Sequence, residues 1–278
     1  MVSLIKILKI NFTNFKQILN MSKMELKKHY SSSTLGNIWA FIKPALFVLV
    51  YWFGIEVGLK GGGSISYEGP YILWLLAGIL PWFFISECLI QGGTSIRTHR
   101  HLVTKMVYPV STIPTFVETY LFKVHLVLVG ITTFIFIVTG NFPISGFYFV
   151  QILYGFICLF LLMWVIDLLM SALVVVSRDF EYLLKSVTTI LFWLSPILWD
   201  ESRLASLNSG SLSNIVYFIV KLNPITYVGN IYRYAFLGTD WFFTHPLQIL
   251  CFWLEIIVLA VIGSFIFKRL EPEFADIL

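Results

Sequence analysis

Along the chain, apolar residues come in long runs separated by short polar breaks. The first run covers about Leu35–Leu59, the second Tyr71–Ile90, the third Ile113–Val138 and the fourth Phe149–Val176. A fifth comes at about Leu183–Trp199 and a last at Leu247–Phe267. Each approaches or exceeds the roughly 20 apolar residues that a spanning helix needs. Gly78 and Pro81 fall inside the second run, which membrane helices tolerate when neighbours satisfy the freed backbone groups. The pattern predicts an all-α membrane protein with six transmembrane helices, forming a single transmembrane domain over residues 1–278.

Two stretches break this pattern. In residues 1–34, Leu4, Leu8, Phe12, Phe15 and Leu19 recur at helical spacing, with Lys9, Lys16 and Lys23 on the flank. That is a basic amphipathic helix, suited to the membrane interface or to a partner protein. In residues 200–246, a Ser-rich polar stretch from Asp200 to Asn214 precedes the short apolar run Ile215–Val220, and Asn223-Pro224 and Gly229 interrupt the segment after it. One or two short re-entrant or interfacial helices are predicted there. The Gly61-Gly62-Gly63-Ser64 stretch reads as a turn between the first two spans.

Composition agrees with a lipid solvent. Of the 278 residues, 58% are hydrophobic and 12% charged, with a mean hydropathy of +0.85; soluble domains carry about 25% charged residues. The net charge of +4 reflects basic residues flanking apolar runs and does not point to nucleic acid. Thirteen Lys and Arg fall on the side of residues 1–34, the 92–109 loop, the 177–186 loop and the tail. Four, namely Lys60, Arg203, Lys221 and Arg233, fall on the other side. The positive-inside rule then predicts cytoplasmic termini. Cys88, Cys158 and Cys251 sit singly in apolar runs and suggest neither disulfides nor a metal site.

No G-x-x-x-x-G-K-[ST] phosphate loop occurs in the sequence, and no metal or catalytic constellation stands out. The charges inside or near spans are Lys43, Glu56, Glu87, Glu118, Lys123, His125, Asp167 and Glu255. Intramembrane charges are functional candidates by default; Glu87 and Asp167 sit deeper in their segments than those near span ends, and keep an ion-coupled transporter open. A membrane enzyme acting on a lipid-linked sugar would need converging acids, and these are scattered. The aromatic load is more distinctive, at 17% of the chain. Trp39, Lys43, Phe47 and Tyr51 recur every four residues on the first span, and Trp74, Trp82 and Phe83 gather on the second. Such rings offer apolar faces to the CH faces of sugars, or serve as an interfacial belt and bundle core. The short basic loop at 92–109 is suited to docking on a soluble partner.

Several motifs together resemble the type-2 ABC exporter permeases of the polysaccharide class. Tyr30, Leu35-Gly36, Trp39 and Pro44 are similar to that family's lead into the first span. Lys105-Met106-Val107-Tyr108-Pro109 with Pro114 resembles its loop before the third span, and Arg178-Asp179 its charged turn after the fourth. Leu194-Ser195-Pro196-Ile197 and Asn223-Pro224 resemble hallmarks flanking the outer re-entrant segment. The tail Phe274-Ala275-Asp276-Ile277-Leu278 is similar to that of wall teichoic acid permeases; O-antigen, capsule and rhamnose-polymer permeases share most of the other motifs. The resemblance implies a non-catalytic homodimer in the bacterial plasma membrane, with two copies of a separate ATPase that binds the ATP, and no cofactor of its own. Its cargo would be a glycopolymer on undecaprenyl diphosphate. Trp39, Lys43, Phe47, Tyr51, Trp74, Trp82 and Phe83 would line the path. Arg97, His99, Arg100, Lys105, Arg178 and Asp179 would couple to the ATPase, and Lys27 and Lys28 would hold the lipid diphosphate.

Overall fold

A computed structural model of the chain describes residues 2–30, 34–58, 69–143, 146–201 and 211–278. The predicted Gly61–Ser64 turn, Lys60, Arg203 and most of the Asp200–Asn214 stretch lie outside the described residues. All regular structure among the described residues is helical.

The amphipathic segment forms two helices, α1 (Val2–Thr13) and α2 (Phe15–Tyr30). They part at Asn14, whose side-chain amide donates to the Ile10 carbonyl at 2.8 Å, a local bond that competes with the helix ladder. Ile7 and Ile18 are buried against the bundle, while Leu8, Phe12 and Phe15 stay exposed. The segment therefore has two apolar faces, one on the protein and one free for the membrane interface.

Among the described residues, five helices are long and apolar enough to span. The first, α3 (Trp39–Trp52), continues through a π turn to Gly58. The second, α4 (Tyr71–Glu87), continues through a π turn to Gly92. Two short helices, α5 (Ser95–Thr98) and α6 (Arg100–Thr104), fill the basic loop. Then come α7 (Thr112–Val138) and α8 (Gly146–Val176). The last is α12 (Pro246–Leu270), succeeded by a turn and the short α13 (Phe274–Ile277).

The fifth predicted span behaves differently. Its helix, α9 (Asp179–Leu194), has 16 residues, about 24 Å of helix. It lies beside the second span from Gly93 to Trp82. The Leu184 side chain lies 2.5 Å from where a Cβ on Gly93 would stand, and the Phe192 ring lies 5.3 Å from Trp82. Beyond the helix end, the Leu198 carbonyl accepts from the Tyr71 hydroxyl at 2.9 Å. The described residues therefore hold five helices long enough to span where the sequence pattern predicts six, and α9 with its irregular tail falls short. Pro196 stops the helix because it disfavours the α conformation at Ser195, which is extended.

The 200–246 region holds α10 (Ser211–Leu222) and α11 (Pro224–Leu237). Asn223 caps α11 by accepting from the Ile225 amide at 2.9 Å, with Pro224 at the first helical position, where a missing N–H costs nothing. Gly238, at φ 67°, closes it in the left-handed conformation. The Asn223 side-chain amide also donates to Ser195 Oγ at 3.1 Å, so the two proline-containing motifs meet. In the bundle, α8 packs on α12 and α11, and α4 on α11 and α7. The α1–α2 segment, α5, α6 and α13 gather at one end, called the near end; α10 and α11 cap the far end.

Candidate functional site

At the near end a cavity of about 240 Å3 opens between α3, α4 and α7. Four-residue spacing brings Trp39, Lys43 and Phe47 to one face of α3, and all three line it. From α4 come Trp82, Phe83 and Glu87. Phe47 meets Phe83 edge-on at 5.7 Å and Tyr51 at 4.4 Å. The ring that joins the two helices is Phe192 of α9, 5.7 Å from Phe47, 5.3 Å from Tyr51 and 5.3 Å from Trp82. Phe192 is not among the sequence candidates. Its signal is present in the stripe Leu184, Thr188, Phe192, which is the buried face of α9.

Polar groups sit at one side of this aromatic wall. The Glu87 carboxylate accepts from the Gln91 amide, and Gln91 Oε1 accepts from the Tyr120 hydroxyl. His125, at the cavity edge, shares a 2.7 Å hydrogen bond with Tyr232 of α11. Lys43 is exposed. Chemically, the cavity offers ring faces to apolar CH surfaces and an ammonium point charge to an anion. Asp167 lies elsewhere: it is fully buried and seated against Gly92, where a Cβ would collide with its Oδ2.

The residues expected to couple to a partner divide. Arg100, Lys105, Arg178 and Asp179 are exposed, and Arg97 is half-buried. Arg97 and Arg178 both act on the Glu181 carboxylate through space, which brings α5 and the start of α9 together. His99, at 4% exposure, turns inward. Its Nδ1 donates to the Ser95 carbonyl at 2.9 Å and its Nε2 lies 3.1 Å from Glu25 of α2. His99 therefore ties α5 to the amphipathic segment and presents nothing outward. Lys27 and Lys28 are exposed on α2, with Lys28 3.9 Å from Glu25.

Two path candidates do not line the near cavity: Tyr51 packs behind it on Phe47 and Phe192, and Trp74 is carried away from it. Trp74 lies at the far end, beside a second cavity of about 330 Å3. The Arg233 guanidinium covers its ring at 3.7 Å and donates to the Pro196 and Ile197 carbonyls at 2.7 and 2.8 Å. Asp200, Glu201 and Asp240 also line this cavity. Burial pushes the Glu201 carboxyl up, against the pull of Lys221 and Arg233. Burial raises Asp240 too, but hydrogen bonds from the Trp241 amide, Thr244 and His245 outweigh it and hold Asp240 below its ordinary value. Sequence reading counts Arg233 as a loop cation; nothing in its local spacing signals a buried strut.

Two relatives match over nearly the whole chain. The O-antigen export system permease protein RfbA of Myxococcus xanthus is 24% identical over 261 residues, covering 93% of this chain and 94% of its own length. The protein of the same name from Klebsiella pneumoniae is 23% identical over 274 residues, covering 95% of each. The sequence pattern of the ABC-2 type transporter family matches residues 16–237. With more than half of its 278 residues matched and its spans in place, the chain belongs to the ABC-2 type transporter family, as a multi-pass membrane subunit of the kind that pairs with an ATP-binding subunit.

Proposed function

We propose that this chain is the permease of an ATP-driven exporter that carries a lipid-linked glycopolymer from the inner to the outer face of a bacterial plasma membrane. The observation that carries this reading is the near cavity, where Trp39, Phe47, Trp82 and Phe83 stand beside the exposed Lys43. An undecaprenyl diphosphate-linked glycan has both complements: CH faces of sugar rings for the aromatics and a diphosphate for the ammonium. Lys27 and Lys28 supply further positive charge at the same end. The names of the two relatives support an O-antigen type of polysaccharide. A wall teichoic acid is the second reading, favoured by the tail Phe274–Leu278.

In this reading two copies of the chain pair with two ATPase subunits, which bind the ATP, and the chain itself carries no cofactor. The lysine and arginine bias argues for both termini, and hence the near end, in the cytoplasm. The ATPase seats against Arg97, Arg100 and Lys105, with Arg178 and Asp179 beside them. His99 holds α5 to the amphipathic segment, so closure of the ATPase pulls on both. Movement there opens the aromatic path between the two copies. Family membership favours this over an ion-coupled transporter or a membrane enzyme.

The test is outward translocation in liposomes holding the chain and its ATPase. A lectin outside reports glycan arrival. Translocation is expected only with ATP and the ATPase, and Trp82→Ala or Lys43→Ala should each slow it roughly tenfold, the scale of one aromatic or charged contact. Translocation by the chain alone, or full rates in both variants, would overturn the proposal.

A further inference from the structure

Lys123 stands inside the apolar stretch of α7, and the export path makes no use of it. Its helix neighbours Leu121, Val124 and Leu128 line the near cavity, whereas Lys123 does not. It turns to α2 instead. There its ammonium donates to Ser22 Oγ at 2.6 Å. The Ser22 hydroxyl is fully buried and donates onward to the Leu19 carbonyl at 2.8 Å. A neutral oxygen leaves the lysine charge uncompensated. No acid pairs with Lys123 among the described residues. The charged group that acts on it through space is a second cation, Lys23, next to Ser22. Residues 1–34 hold six lysines and one acid, Glu25, which lies 3.1 Å from His99 and 3.9 Å from Lys28. Outside the described residues the one acid is Glu68, in the segment that leads into the far end of α4. A cation inside a spanning helix is costly, and such residues mark a partner or a ligand.

A second observation concerns what lies beyond this charge. Toward the far end, Val127, Ile131, Phe134 and Val138 follow Lys123 at steps of four, four, three and four, and all four are exposed. They form one stripe of α7, about 22 Å long, against a hydrocarbon core of roughly 30 Å. The ammonium thus stands at the base of a lipid-facing stripe, level with the amphipathic α2. Lys16, Lys23 and Lys27 share a flank of α2 at steps of seven and four, and all three are exposed.

We infer that the seam between α2 and α7 is a binding site for the phosphate group of a membrane lipid. Lys123 and Lys23 hold the phosphate between them, and Ser22 fixes the Lys123 ammonium. The lipid chains lie along Val127, Ile131 and Phe134. Ammonium groups bind phosphate as point charges, and two cations that repel each other when the site is empty are relieved by an anion between them. The apolar stripe calls for a lipid, not a free phosphate ion. Two kinds of lipid carry this chemistry: an anionic phospholipid of the bilayer and a polyprenyl phosphate carrier. Either one ties α2 to α7, beside the His99 contact that ties α2 to α5. The site stands whatever polymer is exported.

The experiment uses the permease–ATPase complex in phosphatidylcholine nanodiscs doped with either phosphatidylglycerol or undecaprenyl phosphate. Native mass spectrometry counts the lipids that stay on the complex after release. At least one of the two anionic lipids is expected to be retained over phosphatidylcholine, and which one names the source. Lys123→Met keeps the length and removes the charge; Lys23→Gln does so on an exposed face, where folding is not at stake. Each should lower retention about fivefold, the scale of one lysine near an anionic lipid. Lys123→Arg should preserve it. Lys6→Gln removes the same charge from an exposed position on α1 and should lower retention less than about twofold, because only diffuse attraction is lost. Three results would overturn the inference: no retention of either anionic lipid, full retention in a folded Lys123→Met or Lys23→Gln complex, or an equal loss in Lys6→Gln.

Discussion

Helices α3 and α4 are both long and apolar, yet 72% of the residues in the most apolar 18-residue stretch of α4 and its π turn are buried and only 11% in that of α3. Hydropathy cannot be the cause. Glycines mark the difference. In α4 and its π turn, a Cβ at Gly78 would collide with Arg233 Nη2, and one at Gly92 would collide with Asp167 Oδ2. In α3 and its π turn, a Cβ at Gly54 or Gly58 would meet nothing within 4 Å among the described residues. In lipid, apolar contact with a neighbour gains little over contact with acyl chains, and close packing at small residues decides which helices associate. The α4 helix is an axle because neighbours reach its backbone; α3 is a paddle because no described neighbour reaches its two glycines.

The largest effect should come from the group that Gly78 admits. Arg233→Met strands the Pro196 and Ile197 carbonyls and uncovers Trp74, and should cost about 3 kcal/mol in SDS-titration unfolding. A loss near zero would mean that the strut does not hold the α9 tail to α4. Next comes Gly92→Val, which must displace a buried carboxylate and should cost about 2 kcal/mol. Gly54→Val on α3 should cost close to nothing beside it. If the two valines prove equally harmful, the contrast between the helices is lost.

How much of this is legible in the sequence depends on what periodicity encodes. Runs of apolar residues reveal the spans, because hydropathy reports the solvent. The four-residue spacing of Trp39, Lys43 and Phe47 reveals a shared face, because one helix fixes it. Which helix that face meets is not encoded locally. So Phe192, which joins α3, α4 and α9, escapes a sequence reading, and Trp74 groups with Trp82 although eight residues of helix, about 12 Å, separate them. His99 reads as an outward basic residue, since a buried histidine and an exposed one look alike in a short loop. Arg233 and Glu201 are invisible for the same reason: their partners are more than 25 residues away, across a chain reversal.

A smaller effect tests the tail of α9 directly. The Tyr71 hydroxyl donates to the Leu198 carbonyl at 2.9 Å in a buried setting. Tyr71→Phe keeps the ring on Trp74, 5.8 Å away, and removes the bond to Leu198, so a loss of about 1 kcal/mol is expected. An unchanged melt would show that this bond adds nothing to the hold of the irregular tail on α4.

The smallest effect on stability is expected on α3, and it is the most informative about assembly. Leu46, Leu49, Val50 and Phe53 of α3 are all more than half exposed, a continuous apolar face that the fold leaves bare. Leu49→Ala should change the unfolding free energy of the chain by less than about 0.5 kcal/mol, because a side chain facing acyl chains exchanges one apolar neighbour for another. The same substitution should lower the fraction of cross-linked dimer in liposomes if the aromatic path opens between two copies, since a facing helix would lose its packing where lipid would simply refill the gap. The two readouts separate cleanly. A stable chain with fewer dimers makes α3 the moving wall between copies, able to shift because so little binds it to α4. A stable chain with dimers unchanged leaves α3 in lipid, and the path must then run inside each copy along α4.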